Sequence, residues 1–208
     1  MNSPEAVPAL EAVVTRAAET FKETLRRYHP WLRPDSAEQR SGNTERNLSY
    51  QFAQGFRAMY GESGLVVMEV PLPSKRDVYE DHLDAYLFAP QLAVLLECKV
   101  HSGNDSLADV AADMGRMTPA MLEQIRKRHQ GPDPSKAHET LAMVLVEAWG
   151  RKGSSLEWWR DELKRARKAH GKLPSDCCYG GTEIFEANPR SDGTLYWLYA
   201  YRHLDRTL

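Results

Sequence analysis

The stretch His82-Leu83-Asp84-Ala85-Tyr86-Leu87-Phe88-Ala89-Pro90-Gln91-Leu92-Ala93-Val94-Leu95-Leu96-Glu97-Cys98-Lys99-Val100 decides the fold. Two short runs rich in Leu, Val and aromatics flank Pro90-Gln91, the pattern of an antiparallel hairpin. Alternation along the second run puts Leu92, Val94, Leu96, Cys98 and Val100 on one wholly apolar face. Glu97 and Lys99 share the other face with Ala93 and Leu95. An acid and a lysine therefore project together from a strand that otherwise reads as buried. A hairpin closed symmetrically about Pro90-Gln91 sets Asp84 opposite Glu97 and His82 opposite Lys99. Directly opposed side chains have Cβ atoms about 4.5–5.5 Å apart, and like charges there are destabilising. Compensation must come from Lys99, from a raised pKa on one acid, or from a divalent cation. Two oxygen ligands converging at a sheet, with positions left for water and phosphate, suit Mg2+. A solvated ion pair among Asp84, Glu97 and Lys99 is the alternative, and the apolar neighbours and the second acid speak against it.

Outward from this hairpin, the chain alternates clear elements. Residues 5–28 predict a helix with an apolar stripe of Val7, Leu10, Val14, Ala17, Phe21 and Leu25. His29-Pro30-Trp31 and Arg33-Pro34 end it, and a polar loop follows from Asp35 to Thr44. A second helix runs from about Glu45 to Tyr60 with a stripe of Leu48, Phe52, Phe56 and Met59, and Gly61 stops it. Glu45 falls on the same face as that stripe and so points toward the body of the protein, although a first-turn acid also complements the helix dipole. Leu65 to Val70 is a strand. Ser106-x-x-Asp109 opens a helix with Leu107, Val110, Ala111 and Met114 inward. Thr118-Pro119 starts another, to about His129. The apolar run Thr140 to Trp149 marks a strand covered on both faces. Ser154-x-x-Glu157 caps a further helix carrying Leu156, Trp159, Leu163 and Ala166, and Cys177–Ala187 with Leu195–Leu204 reads as a second hairpin. Helices on a central mixed β-sheet, an α/β (α+β) fold, are the economical packing. Asp105, Asp109 and Asp113 read as capping and helix-surface acids, and Leu195, Trp197, Tyr199 and Tyr201 as strand core.

Composition sets the outer limits. The chain has 208 residues, 42% of them apolar and 27% charged, and a mean hydropathy of -0.57. That suits one domain with a real core and excludes wholesale disorder and a membrane span. The start has no basic segment followed by an apolar block, so it does not read as a signal peptide. Cys98, Cys177 and Cys178 form no disulfide framework or zinc knuckle, and free thiols suit a reducing cytoplasm. The formal net charge of -2 hides opposed segments. Residues 61–115 carry -7 and residues 116–172 carry +6. Arg126-Lys127-Arg128, Arg151-Lys152 and Lys164 to Lys168 are candidate phosphate contacts, each equally readable as a solvated helix face. There is no phosphate-binding glycine loop and no serine-nucleophile elbow. A His82, Asp84 and His101 zinc site is disfavoured by Lys99 opposite His82.

The set Glu45 on a helix, Asp84 on the second strand and Glu97-Cys98-Lys99 on the third resembles the PD-(D/E)XK nuclease superfamily. That superfamily has a helix-strand-strand-strand-helix-strand core, and residues 43–149 follow that order. Residues 1–42 would then be an N-terminal helical extension and loop, and residues 150–208 a C-terminal helix and hairpin, in a single domain of residues 1–208. Leu83-Asp84 stands where the family commonly has Pro-Asp. The resemblance implies a nuclease acting on DNA. Asp84, Glu97, the Cys98 backbone carbonyl and Glu45 would hold Mg2+ or Mn2+, and Lys99 would stabilise the charged transition state. Asp84, Glu97, Lys99 and Glu45 would be the catalytic set. A homodimer contact through residues 5–28 is a further expectation. The competing reading is an inactive module of the same fold that binds a protein partner or nucleic acid.

Overall fold

Antiparallel pairing about Pro90-Gln91 is the start of a six-stranded sheet. The computed structural model describes residues 7–28, 45–71, 82–101, 106–129, 136–150, 176–188 and 193–204, with Glu157, Trp159 and Asp161. The elements are α1 (Pro8–Tyr28), α2 (Glu45–Tyr60), β1 (Leu65–Pro71), β2 (His82–Ala89), β3 (Leu92–Val100), α3 (Ser106–Arg116), α4 (Pro119–His129), β4 (Glu139–Gly150), β5 (Cys178–Asn188) and β6 (Gly193–His203). The sheet order is β1-β2-β3-β4-β6-β5. Only β3 and β4 run parallel; the other neighbours are antiparallel. The fold is thus α/β, a central mixed sheet flanked by helices. The polar stretch 35–44 and most of the helix expected from Ser154 lie outside the described residues. No described helix is long and apolar enough to cross a membrane.

Strand alternation divides the core in two. On one face Leu92, Val94, Leu96 and Cys98 of β3 pack with Leu141, Met143 and Leu145 of β4 under α1 and α2. On the other, Ala93 and Leu95 pack with Ala142, Val144 and Val146, and with Val110 and Met114 of α3 and Ile125 of α4. Both faces of β3 and β4 are covered, which is why their sequences are almost continuously apolar. Leu195, Trp197, Tyr199 and Tyr201 lie together in the first cluster, as expected of a strand core.

Local signals set the element ends. Thr118 Oγ1 accepts the Met121 N–H at 3.2 Å, the cap that Thr118-Pro119 promised. Gly61 takes φ +57 just after α2, a left-handed conformation that glycine adopts without a steric penalty. Arg202 of β6 donates to the carbonyls of Met114 and Met117 at 2.9 and 3.0 Å, closing the open end of α3. One expectation needs correction. Met59 is exposed, because the α2 stripe continues through Ser49, Ala53 and Gly55 rather than to the last turn. The apolar stripe of α1, from Val7 to Leu25, is buried against the rest of the chain.

Helix α1 meets α2 where Gly55 faces Ala17. A Cβ at Gly55 would fall inside the van der Waals envelope of the Ala17 backbone, which cannot swing aside. Gly55→Ala should force the two helices apart and cost about 1–3 kcal/mol by overpacking. Thermal and urea melts check this; an unchanged midpoint would argue against so close a helix crossing.

Candidate active site

The candidate residues gather where the β2–β3 ladder stops. The register runs from Ala89↔Leu92 to Ala85↔Leu96, the symmetric closure the sequence suggested. It goes no further, so the direct Asp84–Glu97 and His82–Lys99 pairs are not part of the ladder. Instead Asp84 Oδ2 accepts the Cys98 N–H at 2.6 Å. A side-chain carboxylate thus takes the place of a ladder carbonyl. In an extended strand the N–H and C=O of one residue point to the same side. The Cys98 carbonyl therefore leaves β3 on the Asp84 side.

A second irregularity lies one strand further out. Glu69 of β1 sits at φ +51, between the pairs Met68↔Ala85 and Val70↔Leu83. Such a left-handed non-glycine residue costs on the order of 1–3 kcal/mol and persists only where its surroundings hold it. The irregularity breaks the alternation of β2. Ala85 and Leu87 face the α1–α2 side, but Leu83 joins Tyr86 and Phe88 on the α3 side. Arg46 Nε donates to Glu69 Oε1 at 3.0 Å and holds the distorted residue from the first turn of α2.

Helix α3 supplies the remaining partners. Arg116 Nη2 lies 3.0 Å from Glu97 Oε1 and 2.6 Å from Asp113 Oδ1. Lys99 Nζ lies 3.0 Å from Asp113 Oδ2 and 3.8 Å from Glu45 Oε2. Lys99, at the end of β3, thereby ties α3 on one face of the sheet to the start of α2 on the other. The Glu97 and Asp113 side chains are only 5% and 9% exposed, whereas Glu45 is 47% exposed at the rim. The structure thus brings Asp84, Glu97, Lys99 and Glu45 to one end of the sheet. It also corrects the reading of Asp113, which is no helix-surface acid. Asp113 lies three residues after Val110 and four before Met117, both buried, so it sits on the inward stripe. The face argument made for Glu45 would have found it. Arg116 carried no such signal, because it is the exposed last residue of its helix. Asp109 is exposed in the first turn, as expected.

Electrostatics follow from this crowding. Burial, then the Asp84 and Asp113 charges, push the Glu97 carboxyl up from 4.5 to about 8, against the pull of Arg116 and Lys99. Burial also raises Asp84, although the Cys98 N–H and Lys99 favour its ionised form. For Lys99, burial favours the neutral amine, but Asp113, Glu45 and Glu97 outweigh it and raise the pKa. Lys99 therefore stays protonated and is an electrostatic group rather than a base. The Cys98 thiol is pushed far up by burial and is no nucleophile.

Four carboxyl groups, Asp84, Glu97, Glu45 and Asp113, outnumber the two cations Lys99 and Arg116 here, and a divalent cation would suit that excess of acidic groups. No group of three His, Cys, Asp or Glu among the described residues is arranged to hold a metal ion. Protein ligation by Asp84 and Glu97, completed by a carbonyl and water, is within the habit of Mg2+, which keeps several waters. Glu45 lies 3.8 Å from Lys99 in this arrangement.

The raised pKa of Glu97 has a stability consequence. The folded protein holds this proton to higher pH than the unfolded chain does. Stability should therefore fall as pH rises from about 4.5 to about 8, by on the order of a few kcal/mol. Glu97→Gln should remove that part of the slope. Melting temperatures in chelator from pH 4.5 to 8.5 test it; parallel curves for the two proteins would contradict it.

No protein-family model matches this chain, and neither does any curated protein or solved structure.

Proposed function

We propose that the protein is a metal-dependent nuclease that hydrolyses phosphodiester bonds in DNA with Mg2+ or Mn2+. The observation that carries this reading is the meeting of Asp84, Glu97 and Lys99 at the end of β3, with Asp84 bonded to the Cys98 N–H. The likeness of these residues to the PD-(D/E)XK pattern supports it. A cation bound there would lower the pKa of a water and neutralise charge developing on the phosphate. Asp84 and Glu97 would ligate it, joined by the Cys98 carbonyl. Lys99, kept protonated and held by Asp113, would supply a fixed positive charge to phosphate oxygens gaining negative charge. Glu45 holds Lys99 from the rim and offers a carboxylate to ligand water. Low exposure of Glu97 keeps bulk water from screening these interactions.

Segment charge supports a nucleic-acid substrate. The +6 of residues 116–172 follows the acidic site segment directly in sequence. Of its basic runs, Lys127 is described and exposed, paired with Glu123 at 3.4 Å. Arg151-Lys152 and Lys164 to Lys168 lie outside the described residues. A homodimer acting on both strands belongs to this reading. An inactive module that binds a protein or nucleic acid is the second reading. It is favoured by the closed ion-pair network and by the lack of a three-donor group among the described residues.

Incubation with plasmid and linear DNA in Mg2+ or Mn2+ tests the reading. The wild type should cleave, and Asp84→Ala and Lys99→Ala should each lose about 10²–10³-fold in rate. Equal cleavage by all three proteins would remove the site assignment. No divalent-ion binding in calorimetry would favour the inactive module.

A further inference from the structure

Among the described residues, Arg116 is the cation paired with Glu97. Its Nη2 bridges Glu97 Oε1 at 3.0 Å and Asp113 Oδ1 at 2.6 Å, so one guanidinium nitrogen stands between two nearly buried carboxylates. Lys99 does not do this work, because its amine is directed to Asp113 and Glu45. The burial of Glu97 thus leans on a side chain that is itself 40% exposed. That asymmetry is informative. A carboxylate held for stability alone is best served by a partner equally buried, whereas this partner reaches in from the solvent side. Arg116 is also the last residue of α3, followed by Met117 and Thr118 outside any helix. It can leave Glu97 without rebuilding the core, and Asp113, one helical turn back on α3, would retain it.

We propose that Arg116 is a displaceable internal counter-ion, occupying Glu97 until a divalent cation takes its place. The inference rests on the nuclease reading of the site and adds its regulation. A cation bound by Asp84 and Glu97 would sit beside the guanidinium, and like charges at that separation repel strongly in a partly desolvated site. Metal loading and the Glu97–Arg116 pair are then mutually exclusive. The intrinsic affinity of the carboxylates is reduced by the share of molecules in which Arg116 holds Glu97. Arg116 is a positioning residue here, acting through Glu97. It sets how much free cation is needed before the site assembles.

Calorimetric titration of the full chain with Mn2+ tests this on three proteins. Arg116→Gln should bind Mn2+ roughly tenfold more tightly than wild type, and Arg116→Lys should stay close to wild type because it keeps the charge. Equal affinity of wild type and Arg116→Gln overturns the proposal and leaves the metal site standing. Absence of Mn2+ binding in both overturns the metal reading and this proposal with it. Should Arg116→Gln fail to fold, side-chain nitrogen NMR of the wild type decides. The Arg116 guanidinium should be slow to exchange its protons without cation and lose that protection on adding Mg2+. Protection unchanged at saturating Mg2+ overturns the proposal.

Discussion

Glu97 is a carboxylate buried at the end of a central strand, and the rest of the site is organised around compensating it. A charge removed from water must be paired, hydrogen-bonded or neutralised by a proton. Arg116 donates to it at 3.0 Å, and the carboxyl retains its proton to about pH 8. Asp84 worsens the crowding by standing on the next strand. Asp84 is held there by the Cys98 N–H, a bond it receives only because the β2–β3 ladder has ended. The end of that ladder and the arrangement of the acids are therefore one event in the backbone.

The same constraint explains why the site spans both layers of helices. Lys99 is reached by Asp113 from α3 and by Glu45 from α2, which pack on opposite faces. A cluster at the sheet end can draw on either face, whereas one in mid-sheet draws on one. The apolar residues behind it serve a second purpose. Leu95, Leu96 and Val144 are fully buried, and they keep water from the interior side of the carboxylates. Arg116 and Glu45 approach them from the exposed side.

Much of this was legible in the sequence, for physical reasons that differ by residue. The hairpin register followed from a symmetric turn at Pro90-Gln91. The apolar runs of β3 and β4 announced coverage on both faces. Glu97 and Lys99 stood out because charged residues interrupt an apolar strand. The position of Asp84 was legible only in part. Alternation assumes a regular strand, and Glu69 at φ +51 disturbs it in a way no periodicity shows. Asp113 was legible and overlooked: it lies on an apolar helical stripe, but two other acids nearby suggested a solvated face. Arg116 was not legible, because an exposed arginine at a helix end is ordinary until its tertiary partners are known. Met59 failed for a related reason, since the stripe of α2 drifts toward small residues where α1 comes close.

Arg202 gives the C-terminal hairpin a different standing. By order of elements, residues 43–149 look like a self-contained unit to which β5 and β6 were appended. Yet Arg202, on β6, closes the carbonyl end of the helix that carries Asp113 and Arg116. Strand β6 also pairs along most of β4, from Leu141↔His203 to Gly150↔Thr194. A chain cut after residue 150 would lose that anchor and leave β4 as a bare, apolar sheet edge, the kind of edge that recruits other chains. The set of elements tied together by these contacts therefore reaches past the apparent core to His203, and a dissection of the molecule that keeps the two hairpins together preserves them.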